Sequence, residues 1–137
     1  MKILNLGLDK PRHYFPSDEV VNVDIWKPYL LGWHGHRILA DVRFLPIREK
    51  SFDMVVSVDL LEHIPKEDGK KLIEQVEKIA RKNILLTTPV YFFEQSPLDG
   101  NPYQKHLSLY EKLDFGGYEF MRVPNAGLYF KVLSSGN

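Results

Sequence analysis

There is no cysteine among the 137 residues, which excludes disulfides, thiolate zinc sites and cysteine nucleophiles. Nor is there a surplus of either charge. Eighteen Lys and Arg balance 18 Asp and Glu, so no overall field favours nucleic acid or an anionic membrane, though a local basic patch stays open. Long apolar runs are missing too: stretches such as Met54 to Val58 fall far short of the roughly 20 residues a membrane-spanning helix needs. The opening Met-Lys-Ile-Leu-Asn-Leu-Gly enters a strand pattern at once, which leaves no room for a secretory leader and makes a cytoplasmic protein the expectation. What is present is ordinary for a globular chain, with 44% hydrophobic and 26% charged residues. The length suits one domain over residues 1–137, with a real core and little room for a second.

Short apolar runs alternate with helical or loop segments. Ile3 to Leu8, Val20 to Ile25 and the weaker Arg37 to Ala40 read as strands. Met54 to Val58 is almost continuously apolar, the pattern of a parallel strand covered on both faces. From Lys66 to Lys82 the period changes: Leu72, Ile73, Val76, Ile79 and Ala80 fall at helical spacing, and Pro65 suits the first turn. Ile84 to Thr88 is a fifth strand, ended by Pro89. Tyr91 to His106 reads as an ordered loop with a turn signal at Asp99-Gly100. Ser108 to Glu111 has the form of a capping box, predicting a short helix that stops at Gly116-Gly117. Tyr118 to Val123 and Leu128 to Leu133 predict a hairpin around Pro124 to Gly127. The order argues for an α/β fold with a mainly parallel sheet and an antiparallel edge.

On such a sheet ligands sit at the carboxyl ends of the strands, near the switch point. Those ends carry Gly7, then Asp24, then Asp41, then Asp59-Leu60-Leu61-Glu62-His63. A carboxylate ending the second strand can grip two vicinal hydroxyls, each charge-assisted bond contributing about 1.5–3 kcal/mol. It can equally cap the following turn.

The run Ala40-Asp41-Val42-Arg43-Phe44-Leu45-Pro46-Ile47, then Ser51-Phe52-Asp53-Met54-Val55-Val56-Ser57, then Leu61-Glu62-His63-Ile64-Pro65 resembles class I S-adenosylmethionine (SAM)-dependent methyltransferases. The likeness extends from Ile3 to about Gly127, and Ala40 to Pro89 is its specific part. It implies a Rossmann-like, seven-stranded sheet with a reversed last strand, here in a minimal version with missing or shortened helices. It also implies a cofactor site. Gly7 would be the first glycine of the SAM loop, with Asn5 beside it and Asp24 and Ile25 at the ribose. Asp41 would meet the adenine amino group, Val42 the adenine ring, and Asp59 and Leu60 the methionine part. The resemblance departs at the first loop, where Asp9 and Pro11 stand at positions of further glycines. Only about ten residues separate the first two strands.

Asp59, Glu62 and His63 stand at i, i+3 and i+4, so one helical turn would project all three from one face. With His106 from the long loop they could hold Mg²⁺, Mn²⁺ or Zn²⁺. The pattern resembles the Glu-x-x-Glu-His of methyltransferases acting on the 2′-hydroxyl of small RNA ends and of some quinone-pathway O-methyltransferases. The plainer reading gives Glu62, His63 and His106 acid–base or floor roles without metal. His13 carries less of a signal, His34 and His36 read as solvated or as a metal-ligand pair, Trp26 and Trp33 as core or rim residues or a stacking surface for adenine, and Tyr91, Phe92, Phe93 and Tyr103 as a lid or an edge cover. Two functions stand: SAM-dependent methyl transfer to an unidentified acceptor, or a non-catalytic relative kept as a binding or regulatory module. The short connections also predict a thinly covered sheet face, hence a homodimer.

Overall fold

The structure, a computed structural model, describes residues 1–8, 19–90 and 100–133. Its strands are β1 (Lys2–Leu6), β2 (Glu19–Asp24), β3 (His36–Leu39), β4 (Phe52–Val58), β5 (Ala80–Pro89), β6 (Glu119–Val123) and β7 (Ala126–Val132). They form one sheet in the order β3-β2-β1-β4-β5-β7-β6. The β1–β2, β2–β3, β1–β4 and β4–β5 pairs are parallel, whereas β7 runs antiparallel to both β5 and β6. This is the minimal Rossmann-like arrangement expected. Among the described residues no helix is long and apolar enough to cross a membrane.

The longer helix, α2 (Lys66–Ile79), lies on one sheet face because Leu72, Ile73, Val76 and Ile79 form a single buried stripe. They meet Leu4, Leu6, Val55, Ile84 and Leu86 in the main core, each such side chain contributing about 1.5–3 kcal/mol. Gly69 belongs to this packing, since a Cβ there would overlap the Tyr110 hydroxyl. Glu67 and Asp68 in the first turn complement the helix dipole. Pro65 sits at the N-cap rather than inside the first turn. Among the described residues the opposite sheet face carries a smaller cluster: Ile3, Val20 and Val56 are buried there, with Met54, Val58 and Leu85 packed against them. The connection after β2 is squeezed to a single turn, α1 (Lys27–Leu30), with Pro28 in it.

Three boundaries differ from the sequence expectation. The helix pattern runs to Lys82, yet α2 ends at Ile79 and Ala80 turns extended to pair with Phe52 of β4. Sheet pairing takes residues that local periodicity assigned to the helix. Ser108 is not a cap. Its hydroxyl donates to the Leu61 and Ile64 carbonyls at 3.1 and 2.8 Å. The capping box is formed instead by Glu111 and Asp114 around one 3₁₀ turn, Lys112–Phe115. The hairpin turn is tighter than expected, because Ala126 and Gly127 already pair with Val123 and Arg122. Asn125 supplies the left-handed turn residue, at φ 65°.

Candidate functional site

β1 and β4 lie side by side, and the chain leaves them toward opposite edges of the sheet, so the switch point falls between their carboxyl ends. A cavity of about 270 Å³ opens there, lined by residues just past four strands. Gly7 and Leu8 follow β1, Asp24 ends β2 and Ile25 follows it, Ala40 to Arg43 follow β3, and Asp59 and Leu60 follow β4. His63, Ile64, Pro65, Asn101, Tyr103, Gln104 and Leu107 complete the wall.

Each strand end is held by a specific device. Gly7 has φ 71°, and a Cβ there would stand 2.8 Å from the Leu60 Cβ and Cδ1, so only glycine fits between the two loops. Asp24 is 7% exposed. Its Oδ2 accepts the Leu8 N–H and its Oδ1 the Trp26 N–H, both at 2.7 Å. The turn-capping reading of Asp24 is therefore correct as far as it goes, and the same bonds fix the plane of the carboxylate at the cavity wall. Asp41 caps the turn Val42–Phe44 through the Arg43 N–H. The Arg43 guanidinium also grips it, with Nη2 at 2.6 Å and Nε at 3.0 Å from Oδ2. That side-chain hydrogen bonding holds the Asp41 carboxyl below the usual carboxylate range. Asp59 adopts φ 52°, an unusual backbone for a residue with a Cβ. Thr87 pins it, accepting the Asp59 N–H and donating its hydroxyl to Oδ1 at 3.1 Å.

Behind the cavity, Glu62, His63 and His106 bring one donor atom each to within 4.8 Å of one another. Glu62 is 3% exposed. Burial first, and then the negative charge of Asp59, push its carboxyl up to about 8. Its Oε1 has no hydrogen-bond partner. His63 is half-buried, and its Nδ1 lies 3.2 Å from the Lys105 carbonyl oxygen. Burial lowers its pKa below the ordinary imidazole value. The His63 and His106 ring centroids are 4.8 Å apart. The two segments are bonded together, since the Glu62 carbonyl accepts the Leu107 and Ser108 N–H groups at 2.6 and 3.2 Å.

Several expected site residues lie elsewhere. Asn5 is buried in mid-strand and does not line the cavity; its amide donates to Asn22 Oδ1 at 3.0 Å, tying β1 to β2. Asp59 lines the cavity but stands outside the Glu62, His63 and His106 group, because its left-handed backbone and the Thr87 bonds turn it away. Trp33 packs with Leu8, Tyr29 and Leu30, with Trp26 against them, and neither tryptophan lines the cavity. His34 and His36 are exposed at the amino end of β3, away from the site. Asp9, Pro11, His13, Tyr91, Phe92 and Phe93 lie outside the described residues. Sequence reasoning overlooked Arg43 and Thr87. The Asp-x-Arg spacing at 41–43 was a legible signal for the first, while nothing local marks Thr87, which meets Asp59 only through β4–β5 pairing.

A family model described as a methyltransferase domain matches residues 8–86. The chain belongs to that methyltransferase family. No curated protein sequence matches it. Among solved structures, magnesium protoporphyrin IX methyltransferase from Synechocystis PCC 6803 with bound SAM is similar at 15% identity, over 97% of this chain and 70% of that one, with a TM-score of 0.66. A SAM-dependent methyltransferase from Mesorhizobium loti is similar at 15% identity, over 96% of this chain and 90% of the other, with a TM-score of 0.64. A chain from a Haloferax volcanii complex of a methyltransferase activator with its partner matches at 10% identity over 99% of this chain and 83% of that one, with a TM-score of 0.69. At these identities the structural likeness is one of fold, and it agrees with the class I methyltransferase architecture read from the sequence.

Proposed function

We propose that this methyltransferase domain is an enzyme that binds SAM in the strand-end cavity and transfers its methyl group to an acceptor, in the cytoplasm. One observation carries the reading: a buried carboxylate, Asp24, ends β2 beside Gly7 and is oriented at the cavity wall by two backbone N–H groups. The donor set fits the cofactor. Asp24, Asp41 and Asp59 offer acceptors to a ligand that carries ribose hydroxyls, an amine and a positive sulfonium, and Val42, Leu60 and Ile64 offer apolar surface to a flat base. At about 270 Å³ the cavity falls just below the roughly 300–1,000 Å³ of small-molecule sites.

In this reading Asp24 and Ile25 hold the ribose, Gly7 and Leu8 let the backbone come close to the cofactor, Val42 covers the adenine, and Asp59 and Leu60 flank the methionine part. Asp41 meets the adenine amino group by releasing part of its bond with Arg43. When bound, SAM supplies an electrophilic methyl on a sulfonium, and its departure leaves S-adenosylhomocysteine. The chain's own work is to hold the acceptor in line and keep water out. His63 is the polar group at the cavity wall on the acceptor side, with Glu62 and His106 buried behind it and Tyr103 and Leu107 as the rim. We extend the proposal to a homodimer, supported by Leu31, Leu39 and Phe44, exposed at 60%, 59% and 75% beside the edge strand β3.

Titration calorimetry with SAM and S-adenosylhomocysteine tests the proposal. Both should bind, and at a hundred times Kd the ligand should add about 2.7 kcal/mol to stability. Asp24→Ala should weaken binding at least ten-fold, about 1.4 kcal/mol. The carboxylate also holds two backbone groups, so a melting curve of the variant accompanies the titration. Failure of the parent to bind either compound would leave the non-catalytic reading, and full affinity in folded Asp24→Ala would remove Asp24 from the ribose.

A further inference from the structure

We infer that the amino-terminal end of the sheet carries a binding site for a small oligophosphate ligand, formed by Lys2, Arg48, Lys50 and Arg81. It lies about 20 Å from the cofactor cavity, since the seven residues of β4, at about 3.3 Å each, separate the two ends of the sheet. Its existence does not depend on the methyltransferase reading.

β1, β4 and β5 are adjacent and parallel, so their amino ends come together. Lys2 opens β1, Arg48 to Ser51 lead into β4, and Arg81 stands second in β5. A cavity of about 280 Å³ opens among them, and Glu49 is its one acidic wall residue among those described. With Lys82 beside it, five cations stand against the carboxylates of Glu49 and Asp53. The chain as a whole is neutral, so this excess is local.

Structural pairing uses only part of that charge. Asp53 accepts the Lys2 N–H at 2.8 Å and pairs with Arg81 at 3.2 Å and Lys82 at 3.9 Å. Among the described residues no carboxylate pairs with the side chains of Lys2, Arg48 or Lys50. The Lys2 ammonium lies 5.1 Å from the Phe52 ring centroid, and Lys50 Nζ donates to the Ala80 carbonyl at 3.3 Å. The loop itself is pinned. The Ser51 hydroxyl donates to the Arg48 carbonyl at 2.6 Å, and the Lys50 N–H donates to the Lys78 carbonyl at 2.8 Å. Lys50 is held at φ 54°, a backbone uncommon for a residue with a Cβ.

Like charges gathered without counter-charge repel, and an anion placed between them recovers that energy. A lone carboxylate would satisfy one cation. Three neighbouring strands span about 10 Å, so cations spread over that width match a ligand with several negative charges in a row. Phosphate groups supply them: a guanidinium grips phosphate oxygens through paired N–H donors, and ammonium groups act as compact point charges. A nucleic-acid strand instead needs a basic groove that tracks its backbone.

The test titrates the full chain with inorganic triphosphate by calorimetry, with sulfate at equal ionic strength as the control anion. Triphosphate should bind at one equivalent and at least ten-fold more tightly than sulfate. The Arg48 guanidinium is exposed and makes no hydrogen bond or ion pair among the described residues, so Arg48→Ala leaves the fold intact. That variant should weaken binding at least ten-fold. Glu49→Gln should tighten it, a sign that damage to the fold cannot produce, and Lys71→Ala on the exposed face of α2 should change nothing. Raising salt from about 0.1 to 1 M shortens the Debye length from about 10 to 3 Å and should weaken binding at least ten-fold. Adenosine triphosphate binding more tightly than inorganic triphosphate names a nucleotide as the source, equal affinity names the oligophosphate itself, and either supports the site. Absence of saturable triphosphate binding, affinity no better than that of sulfate, or affinity undiminished in Arg48→Ala overturns the inference. A short single-stranded RNA that outbinds triphosphate and loses its affinity in Arg48→Ala overturns it in favour of a nucleic-acid surface.

Discussion

Gly7→Ala is the sharpest probe of how the strand ends are assembled. At φ 71° the new Cβ enters the left-handed region, which costs roughly 1–2 kcal/mol. It also lands 2.8 Å from the Leu60 Cβ and Cδ1, well inside the contact distance of about 3.5–4.0 Å. Rotation of Leu60 relieves the Cδ1 contact but not the Cβ contact, because Cβ moves only with the backbone. That backbone is held next door, where Asp59 is bonded to Thr87. Forced overpacking of this kind costs about 1–3 kcal/mol. The variant should therefore lose about 2–5 kcal/mol, a large share of the roughly 5–15 kcal/mol typical of a domain. Urea unfolding followed by far-ultraviolet circular dichroism reads the loss, with a fall in Tm on the order of 10 °C. Leu60→Ala removes the Cγ and Cδ1 contacts and leaves the Cβ one, so combining it with Gly7→Ala should restore part of the stability. The coupling should be about 1 kcal/mol in a double-mutant cycle. A Gly7→Ala protein within about 0.5 kcal/mol of the parent would refute the packing of the two loops.

Acid stability follows from Asp53, whose carboxylate accepts the Lys2 N–H at 2.8 Å and faces Arg81 and Lys82. The backbone bond first, and then the cations, hold it below the ordinary 3.8. Its folded value is depressed, so its contribution is complete above pH about 4 and fades as pH falls through the folded value. Asp53→Asn should thus be less stable than the parent at neutral pH, and urea titrations should show the gap narrowing as pH falls below the ordinary 3.8; a gap that does not narrow contradicts the assignment. The proposed dimer is checked by light scattering at tens of micromolar. Dimer in the parent and monomer in Leu39→Glu or Phe44→Glu support the β3 edge as its interface, and monomer in the parent removes it.

The site was only partly legible in the sequence. Gly7, Asp24, Asp41 and Leu60 are found at the cavity because each stands at the carboxyl end of a strand or within two residues of it, and strands announce themselves by local apolar runs. Asn5 was misjudged because alternation in a strand decides which face a side chain takes, and its neighbour Asn22 on β2 claims it. Asp59 left its expected partners for a reason no spacing rule contains: the turn after β4 is not helical at that residue, and Thr87 stands across the strand pair. His106 joins Glu62 and His63 through backbone bonds between segments far apart in the chain.

By itself the sequence determined the alternation of strands and helices, the amphipathic stripe of α2, the reversed final hairpin and the acidic strand ends, because all of these are written in residues a few positions apart. Tertiary structure alone decided where α2 stops, since Ala80 is recruited by Phe52 of β4. It also decided which residue caps the last 3₁₀ turn, and it closed Arg43 over Asp41. The buried Glu62 gathered with two histidines belongs to the same class. A side chain's burial and its partners depend on which strand ends the sheet order brings together, and that order is a property of the whole chain.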